Sequence, residues 1–113
     1  MNKRNNKAFN KKLSPTQKKI DNNVRRALLD ASEQLLNSVD GFQWLSHRAD
    51  YSDFPASLLV SCVFDTDVSK HKAIASGDSL IIQKLVHSKL LKIGVILQLP
   101  KRQVVFGSEE SHL

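Results

Sequence analysis

The chain has 113 residues, of which 41% are hydrophobic and 25% are charged, and this composition is typical of a globular protein with one core. Its apolar runs are much shorter than the about 20 residues that span a bilayer, and its polar N-terminus lacks the apolar segment of a signal peptide. We therefore expect a cytoplasmic protein with no membrane partner. Cys62 is the only cysteine, so no internal disulfide can form, and its apolar neighbours predict a buried thiol.

The net charge of +6 is concentrated at the N-terminus. Residues 1–19 carry seven basic residues and no acidic one, whereas residues 20–113 carry ten basic and eleven acidic residues. A basic, Asn-rich segment of low hydrophobicity buries too little surface to order itself, so we predict a disordered arm over residues 1–13. Such an arm either binds a polyanion or serves only solubility. The cations in and just after it are Lys3, Arg4, Lys7, Lys11, Lys12, Lys18 and Lys19.

A long helix is predicted to follow the arm. Ser14 is a typical N-cap, Pro15 suits the first helical position, and Gln17 stands where it completes a capping box. Apolar residues then recur every three or four positions until Gly41 ends the pattern. The face expected to be buried consists of Ile20, Val24, Ala27, Leu28, Ala31, Leu35 and Val39.

Two strands are predicted next. Residues 42–49, FQWLSHRA, alternate imperfectly, and residues 56–64, ASLLVSCVF, form a short run that is apolar on both faces, as in a central strand. The turn DYSDFP between them makes an antiparallel hairpin the simplest arrangement. His47 in the first strand has no second ligand at a suitable spacing, so we predict no metal site.

The stretch CVFDTDVSK, residues 62–70, allows two interpretations. Its apolar run and D-x-D-x-V pattern resemble the nucleophile motif of the haloacid-dehalogenase phosphatases, which implies a nucleophile at Asp65 and a general acid at Asp67. Only 46 residues follow Asp67, and they supply few of the oxygen ligands that a Mg²⁺ site needs. The alternative is a strand-to-helix junction at which Asp67 or Ser69 caps the helix. We favour the junction, and so expect a non-enzymatic protein with no catalytic residues and no cofactor.

The chain from Val68 onwards has a helical pattern that Gly77 interrupts. Asp78 or Ser79 can cap a new start, and apolar residues then continue the second helix to Gly94. We therefore predict two helices separated by a kink.

The last part of the domain, residues 95–106, has two β-rich pieces on either side of Pro100, which lacks a backbone donor and suits an edge, a bulge or a turn. Cations of this C-terminal half could form a basic flank for nucleic acid, although cations at the end of a helix also suit its dipole. The flank would consist of Lys70, Lys72, Lys84, Lys89, Lys92, Lys101 and Arg102, among which Lys89, Lys92, Lys101 and Arg102 are the main candidates.

The element order α, β, β, α, kink, α, β predicts an α+β domain over residues 14–108, with helices on one face of a small antiparallel or mixed sheet and a polar tail over residues 109–113. This order and the Ala75-Ser76-Gly77 kink resemble the type II KH fold and, more narrowly, the family of ribosome-binding factor A, in which an Ala-x-Gly kink replaces the Gly-x-x-Gly loop. LLKIGVILQLPKRQVVFGSEES is similar to the end of that family, and the resemblance covers roughly residues 18–111. It implies binding to RNA or to a ribosomal subunit.

Three classes of partner remain open. RNA or a ribosomal subunit would bind through the arm and the basic flank, whereas a protein partner would bind an exposed sheet edge or a hydrophobic patch. A fainter likeness to the small Fis-type transcriptional regulators adds DNA, but that family reads DNA with a C-terminal helix-turn-helix, and this C-terminus is predicted to be a strand. The sequence does not indicate the oligomeric state.

Overall fold

The structure, a computed structural model, describes residues 12–111. Most of the predicted arm lies outside the described residues, including Lys3, Arg4, Lys7 and Lys11. The described part contains four helices and three strands, and apart from the short helix α4 they follow the predicted order. They are α1 (Pro15–Ser38), β1 (Phe42–Arg48), β2 (Leu59–Phe64), α2 (Asp67–Ser76), α3 (Asp78–Leu91), α4 (Pro100–Gln103) and β3 (Val104–Ser108). The predicted α+β class is therefore confirmed.

The three strands form one mixed sheet in the order β1-β2-β3. β1 is antiparallel to β2, which confirms the predicted hairpin, and β3 is parallel to β2 after a crossover through α2, α3 and α4. Phe42 lies opposite Phe64 and Trp44 lies opposite Val63, so Gln43 is an extra residue that forms a bulge. The bulge explains the imperfect alternation of this strand, because it places Phe42 in the core and leaves Trp44 exposed.

The helices pack on one face of the sheet, and the core lies between them. β2 contributes Val60, Cys62 and Phe64, all with 0% exposure. Burial raises the pKa of the Cys62 thiol to about 12, in agreement with the predicted buried thiol. The predicted apolar face of α1 is also buried, and each of its large side chains contributes about 1.5–3 kcal/mol. Its fully buried members are Val24, Ala27, Leu28, Ala31 and Leu35, while Ile20 and Val39 pack against them.

Two glycines lie at the ends of α2, Gly77 within the chain and Gly41 packed against the start of the helix. Gly77 has a φ of +91° and separates α2 from α3, which confirms the predicted kink at a conformation that favours glycine. Gly41, with a φ of +82°, lies against the start of α2. A Cβ at Gly41 would lie 2.5 Å from the Cβ of Ser69, and the Gly41 carbonyl accepts from the Asp65 amide at 2.8 Å. The start of β1 can approach α2 closely only because residue 41 has no side chain.

The stretch that follows Phe64 is a strand-to-helix junction, as we expected. The N-cap of α2 is Thr66, whose Oγ1 accepts from the Ser69 amide at 3.0 Å, so the prediction of Asp67 or Ser69 as the cap was wrong. Thr66 is extended and directly precedes the helix, whereas Asp67 is already its first residue. Asp67 instead places a negative charge in the first turn, which suits the helix dipole.

Both carboxylates of the junction accept hydrogen bonds from neighbouring residues. Asp65 Oδ1 accepts from the Thr66 amide at 2.7 Å. Asp67 Oδ1 accepts from the hydroxyls of Ser108 and Ser111, each at 2.6 Å, and these bonds hold the pKa of Asp67 below its usual value. The first residues of the predicted polar tail are thereby attached to the start of α2.

The prediction of two β-rich pieces around Pro100 was half wrong. Residues 95–99 form no strand, and Pro100 begins the short helix α4. Proline suits this position because the first turn of a helix does not use its backbone N–H. The Leu99 carbonyl accepts from the amides of Arg102 and Gln103, and the second apolar piece then forms β3.

Asp21 of α1 attaches this helix to β1 and to the loop after it. Its Oδ1 lies 2.5 Å from the Tyr51 hydroxyl and 3.1 Å from His47 Nε2, and its Oδ2 accepts from Arg25 Nε at 2.7 Å. Partial burial alone would raise the pKa of Asp21, but the hydrogen bonds from Tyr51, Arg25 and His47 outweigh it and lower this pKa from 3.8 to about 2. The folded state therefore favours the ionised carboxylate.

We expect the change Asp21→Asn to lower the free energy of unfolding by about 1 kcal/mol near neutral pH, because charge-assisted hydrogen bonds are lost. The folded pKa of about 2 lies below the ordinary value of 3.8, so the contribution of this carboxylate is complete above about pH 4 and is lost as the pH falls through about 2. The difference between the parent and the variant should shrink over that range. Urea denaturation at a series of pH values measures it.

Asp40→Asn is the matched control, since Asp40 is exposed and accepts no side-chain hydrogen bond from residues 12–111. It should change the free energy of unfolding by less than about 0.5 kcal/mol. An Asp21→Asn effect that is equally large at about pH 2 and at about pH 7 would rule out the proposed role of the charge.

Candidate nucleic-acid interface

A groove of about 430 Å³ lies between α3 and the segment that leads into α4. We call it the α3 groove. The residues that α3 contributes are spaced by three and four positions, and they therefore share one face of the helix. Its lining consists of Leu80, Gln83, Lys84 and His87 from α3, and of Gln98, Leu99, Pro100, Lys101 and Arg102 from the facing wall.

The α3 groove combines cations with exposed apolar side chains. Lys84, Lys101 and Arg102 are all exposed, and within the described part of the chain no carboxylate lines the groove. Leu80 and Leu99 are 50% and 56% exposed, which is high for large apolar side chains. Sites for single-stranded nucleic acid typically pair cations for the phosphates with aromatic side chains on which the bases stack. Within residues 12–111 no Phe, Tyr or Trp lines the groove, so the contacts to bases would come from the His87 ring and from the aliphatic side chains of Leu80 and Leu99.

The wall over residues 98–102 is positioned by Gln103, a buried glutamine at the end of α4 that is 6% exposed. Its Nε2 donates to the carbonyls of Pro55 at 2.9 Å and Leu58 at 3.1 Å, and its Oε1 accepts from the Leu99 amide at 3.0 Å. These bonds join the wall to the loop before β2. Sequence reasoning missed Gln103, because its partners are backbone groups and those of Pro55 and Leu58 are far away in the chain.

Hydrogen bonds also join α3 to the residues on either side of the facing wall. The Leu97 amide donates to His87 Nε2 at 3.3 Å, and Gln83 Nε2 donates to the Val104 carbonyl at 3.1 Å. His87 is half-buried, because the irregular segment over residues 95–99 packs against it.

Part of the predicted basic flank lines the same groove that begins beside the predicted kink. Lys101 and Arg102 line the α3 groove with Lys84, which belonged to the wider flank. Leu80, whose amide donates to the Gly77 carbonyl at 3.1 Å, lies in the first turn of α3. The groove therefore begins one turn after the Ala75-Ser76-Gly77 kink, in which Ala75 and Ser76 are exposed.

Lys89 and Lys92 do not line the α3 groove. Lys89 is on the buried side of α3, where its Nζ lies 2.9 Å from Asp30 Oδ2 of α1, so this cation is already paired inside the protein. Lys92 is exposed at the C-cap of α3. Lys89 is therefore not accessible to a ligand, although we predicted from the sequence that it binds nucleic acid.

The cations of the arm and of early α1 are only partly within the described residues. Lys12, Lys18 and Lys19 are exposed and do not line the α3 groove. Lys3, Arg4, Lys7 and Lys11 lie outside the described residues, so their suggested role stays a prediction.

A second hollow of about 390 Å³ adjoins the α3 groove. We call it the Arg48 hollow. It shares Gln98, Leu99 and Arg102 with the groove, and it extends to Arg48 at the end of β1 and to residues 56–59, which lead into β2. No carboxylate of the described residues lines it. Nothing in the sequence indicates this proximity, because β1 and α4 are far apart along the chain.

None of the described helices covers the face of the sheet that lies opposite the core. Trp44 and Val63 lie side by side on this open sheet face, and Gly107 of β3 continues the row. Trp44 is 45% exposed, and a hollow of about 440 Å³ lies over this face. Of residues 12–111, Glu109 is the only charged one that lines the hollow. The open sheet face therefore presents no described cation in this hollow, unlike the α3 groove.

Comparison with known proteins finds no matching family model, no matching curated protein and no matching solved structure. Over residues 12–111, no group of three or more His, Cys, Asp or Glu side chains is placed to hold a metal ion. No helix in the same range has both the length and the apolar character to cross a bilayer.

We expect the change Gln103→Met to lower the free energy of unfolding by about 2 to 4 kcal/mol. Methionine preserves the length of the side chain but leaves the Leu99 amide and the Leu58 carbonyl without the bond from Gln103, while the Pro55 carbonyl keeps only its bond from the Leu58 amide. Urea denaturation of the parent and the variant measures the difference.

Gln98→Met provides the control, because Gln98 is exposed and its side chain forms no hydrogen bond within residues 12–111. This change should alter the free energy of unfolding by less than about 0.5 kcal/mol. If the two variants were equally stable, Gln103 would not be what holds the wall in place.

Proposed function

We propose that this protein is a non-enzymatic, cytoplasmic RNA-binding protein that binds single-stranded RNA in the α3 groove, with ribosomal RNA as the expected target. The observation that carries the proposal is the lining of the groove, in which Lys84, Lys101 and Arg102 accompany apolar side chains without any carboxylate. Three cations on two facing walls can contact successive phosphates of one strand. RNA provides both the negative charge and the flat apolar bases that such a groove fits.

The exposed apolar side chains favour a single strand over a duplex. In a duplex the base faces are stacked inside the helix, so Leu80 and Leu99 would find no apolar partner. In a single strand the bases can turn toward the protein while the phosphates contact the cations. The likeness of the Ala75-Ser76-Gly77 kink to that of ribosome-binding factor A supports the same class of partner, since the groove begins beside it.

The basic arm would add affinity that does not depend on RNA sequence. Because binding releases counterions, the logarithm of the binding constant for a single strand falls by about 0.7 per phosphate contact for each tenfold rise in salt. The three groove cations thus predict a slope of about −2, and cations of the arm would make the observed slope steeper. Measurements on the full chain separate the two contributions when groove residues are changed and the arm is left intact.

We expect the double change Lys84→Gln and Lys101→Gln to weaken binding of single-stranded RNA by about tenfold or more and to reduce the salt slope by about 1.4. Both effects follow from the loss of two phosphate contacts. Fluorescence anisotropy of a labelled RNA, titrated at several salt concentrations, measures the affinity and the slope together.

The matched control is the double change Lys72→Gln and Lys92→Gln, which removes the same charge from exposed positions outside the α3 groove. We expect it to weaken binding by less than about threefold, since long-range attraction is screened by salt. Equal losses in both double variants would mean that RNA senses only the net charge, and the groove would then have no special role.

A second candidate function is recruitment of a protein partner through the open sheet face. The exposed Trp44 favours it, because aromatic residues are enriched at protein interfaces. A complex that survives nuclease treatment and is lost on the change Trp44→Ser would support this function, whereas a complex lost on nuclease treatment would support RNA. For the DNA alternative we find no observation of this kind, since α4 is followed by the strand β3 and not by a recognition helix.

A further inference from the structure

We propose that the RNA track continues from the α3 groove across Leu99 and Arg102 into the Arg48 hollow, so that one continuous single strand occupies both. This inference rests on the proposed function, because it concerns the same RNA. It assigns to Arg48 a phosphate contact at the far end of the track. The binding site then extends beyond the α3 groove to the end of β1.

The two hollows are neighbours of similar size. They enclose about 430 and about 390 Å³, and both are lined by Gln98, Leu99 and Arg102. These three residues therefore form the boundary between them, and a strand that leaves the α3 groove over this boundary enters the Arg48 hollow directly. Arg102 can contact phosphate on either side.

All the charged side chains that line the two hollows are cationic. Lys84, Lys101 and Arg102 line the first hollow, and Arg102 and Arg48 line the second. Residues 20–113 contain eleven acidic residues, yet none of them lines either hollow. An uninterrupted cationic path through a body that is otherwise close to neutral fits a linear polyanion.

The cations at the centre and the far end of this track are not engaged elsewhere in the described part of the chain. Within residues 12–111 neither Arg48 nor Arg102 forms an ion pair. Asp50 lies two residues after Arg48, but its Oδ1 accepts from the Ser52 amide at 2.9 Å and it does not line the hollow. Both guanidinium groups are thus free to bind phosphate, which they can do with two parallel hydrogen bonds.

One side chain supports both parts of the track. Gln103 bonds to Leu99 on the shared boundary and to the carbonyl of Leu58, which belongs to the wall of the Arg48 hollow. Arg48 pairs with Leu59 in the sheet, so its backbone is also fixed relative to that wall. A strand could therefore bind both hollows without rearrangement of the protein, which reduces the cost of binding.

The test compares single-stranded oligoribonucleotides of about 4 and about 10 nucleotides, a range that spans typical site sizes. For the parent protein we expect the affinity to rise at least about tenfold with length. Arg48→Gln should remove most of this gain and reduce the salt slope for the long oligomer by about 0.7, while it leaves the affinity for the short oligomer unchanged. Arg48→Lys should restore part of the gain.

Arg26→Gln is the control for the loss of one positive charge, because Arg26 is exposed on α1 and lines neither hollow. If the short oligomer does not bind to the parent, the proposed function fails. If the short oligomer binds but length adds nothing, or if Arg26→Gln lowers the affinity for the long oligomer as much as Arg48→Gln does, the extended track is wrong and the α3 groove remains.

Discussion

The buried amide of Gln103 is the contact on which the proposed site depends. All four of its partners, the Leu99 amide and the carbonyls of Pro55, Ala56 and Leu58, are backbone groups, so it fixes the path of the chain and not merely the position of other side chains. A buried amide that is left unpaired costs free energy, which means that α4 can occupy only the position in which these bonds form. Leu99 and Arg102 flank this position, and the two hollows lie on either side of them. One buried polar residue thereby sets the geometry of an exposed surface.

Most of the architecture follows from local signals in the sequence. The capping box of Ser14 and Gln17 is present as predicted, and the apolar spacing after it gave the buried face of α1. Gly77 marked the kink, because a left-handed residue between two helical patterns is nearly always glycine. The errors arose where local signals were ambiguous. Residues 95–99 are rich in β-branched and apolar residues, but they pack against α3 as an irregular segment and form no strand.

The candidate site was predictable only in part. Lys101 and Arg102 could be found because they lie beside Pro100, whereas Lys89 was misjudged because helix periodicity alone does not show which cation pairs with Asp30 of another helix. Arg48 lies more than fifty residues from α4 along the chain, and only the fold brings it to the same surface. A site residue that is positioned by contacts between distant segments leaves no periodic pattern in a single sequence, so it cannot be predicted from that sequence.

In our proposal, single-stranded RNA occupies the track formed by the α3 groove and the Arg48 hollow. The most direct measurement is the change in backbone amide chemical shifts as such an RNA is titrated into the full chain. We predict that the largest changes fall between Leu80 and His87 and between Gln98 and Gln103, and that a longer RNA adds Arg48 and residues 56–59. Changes centred on Trp44 and Val63 of the open sheet face, or the absence of any change on saturation with RNA, would contradict this claim.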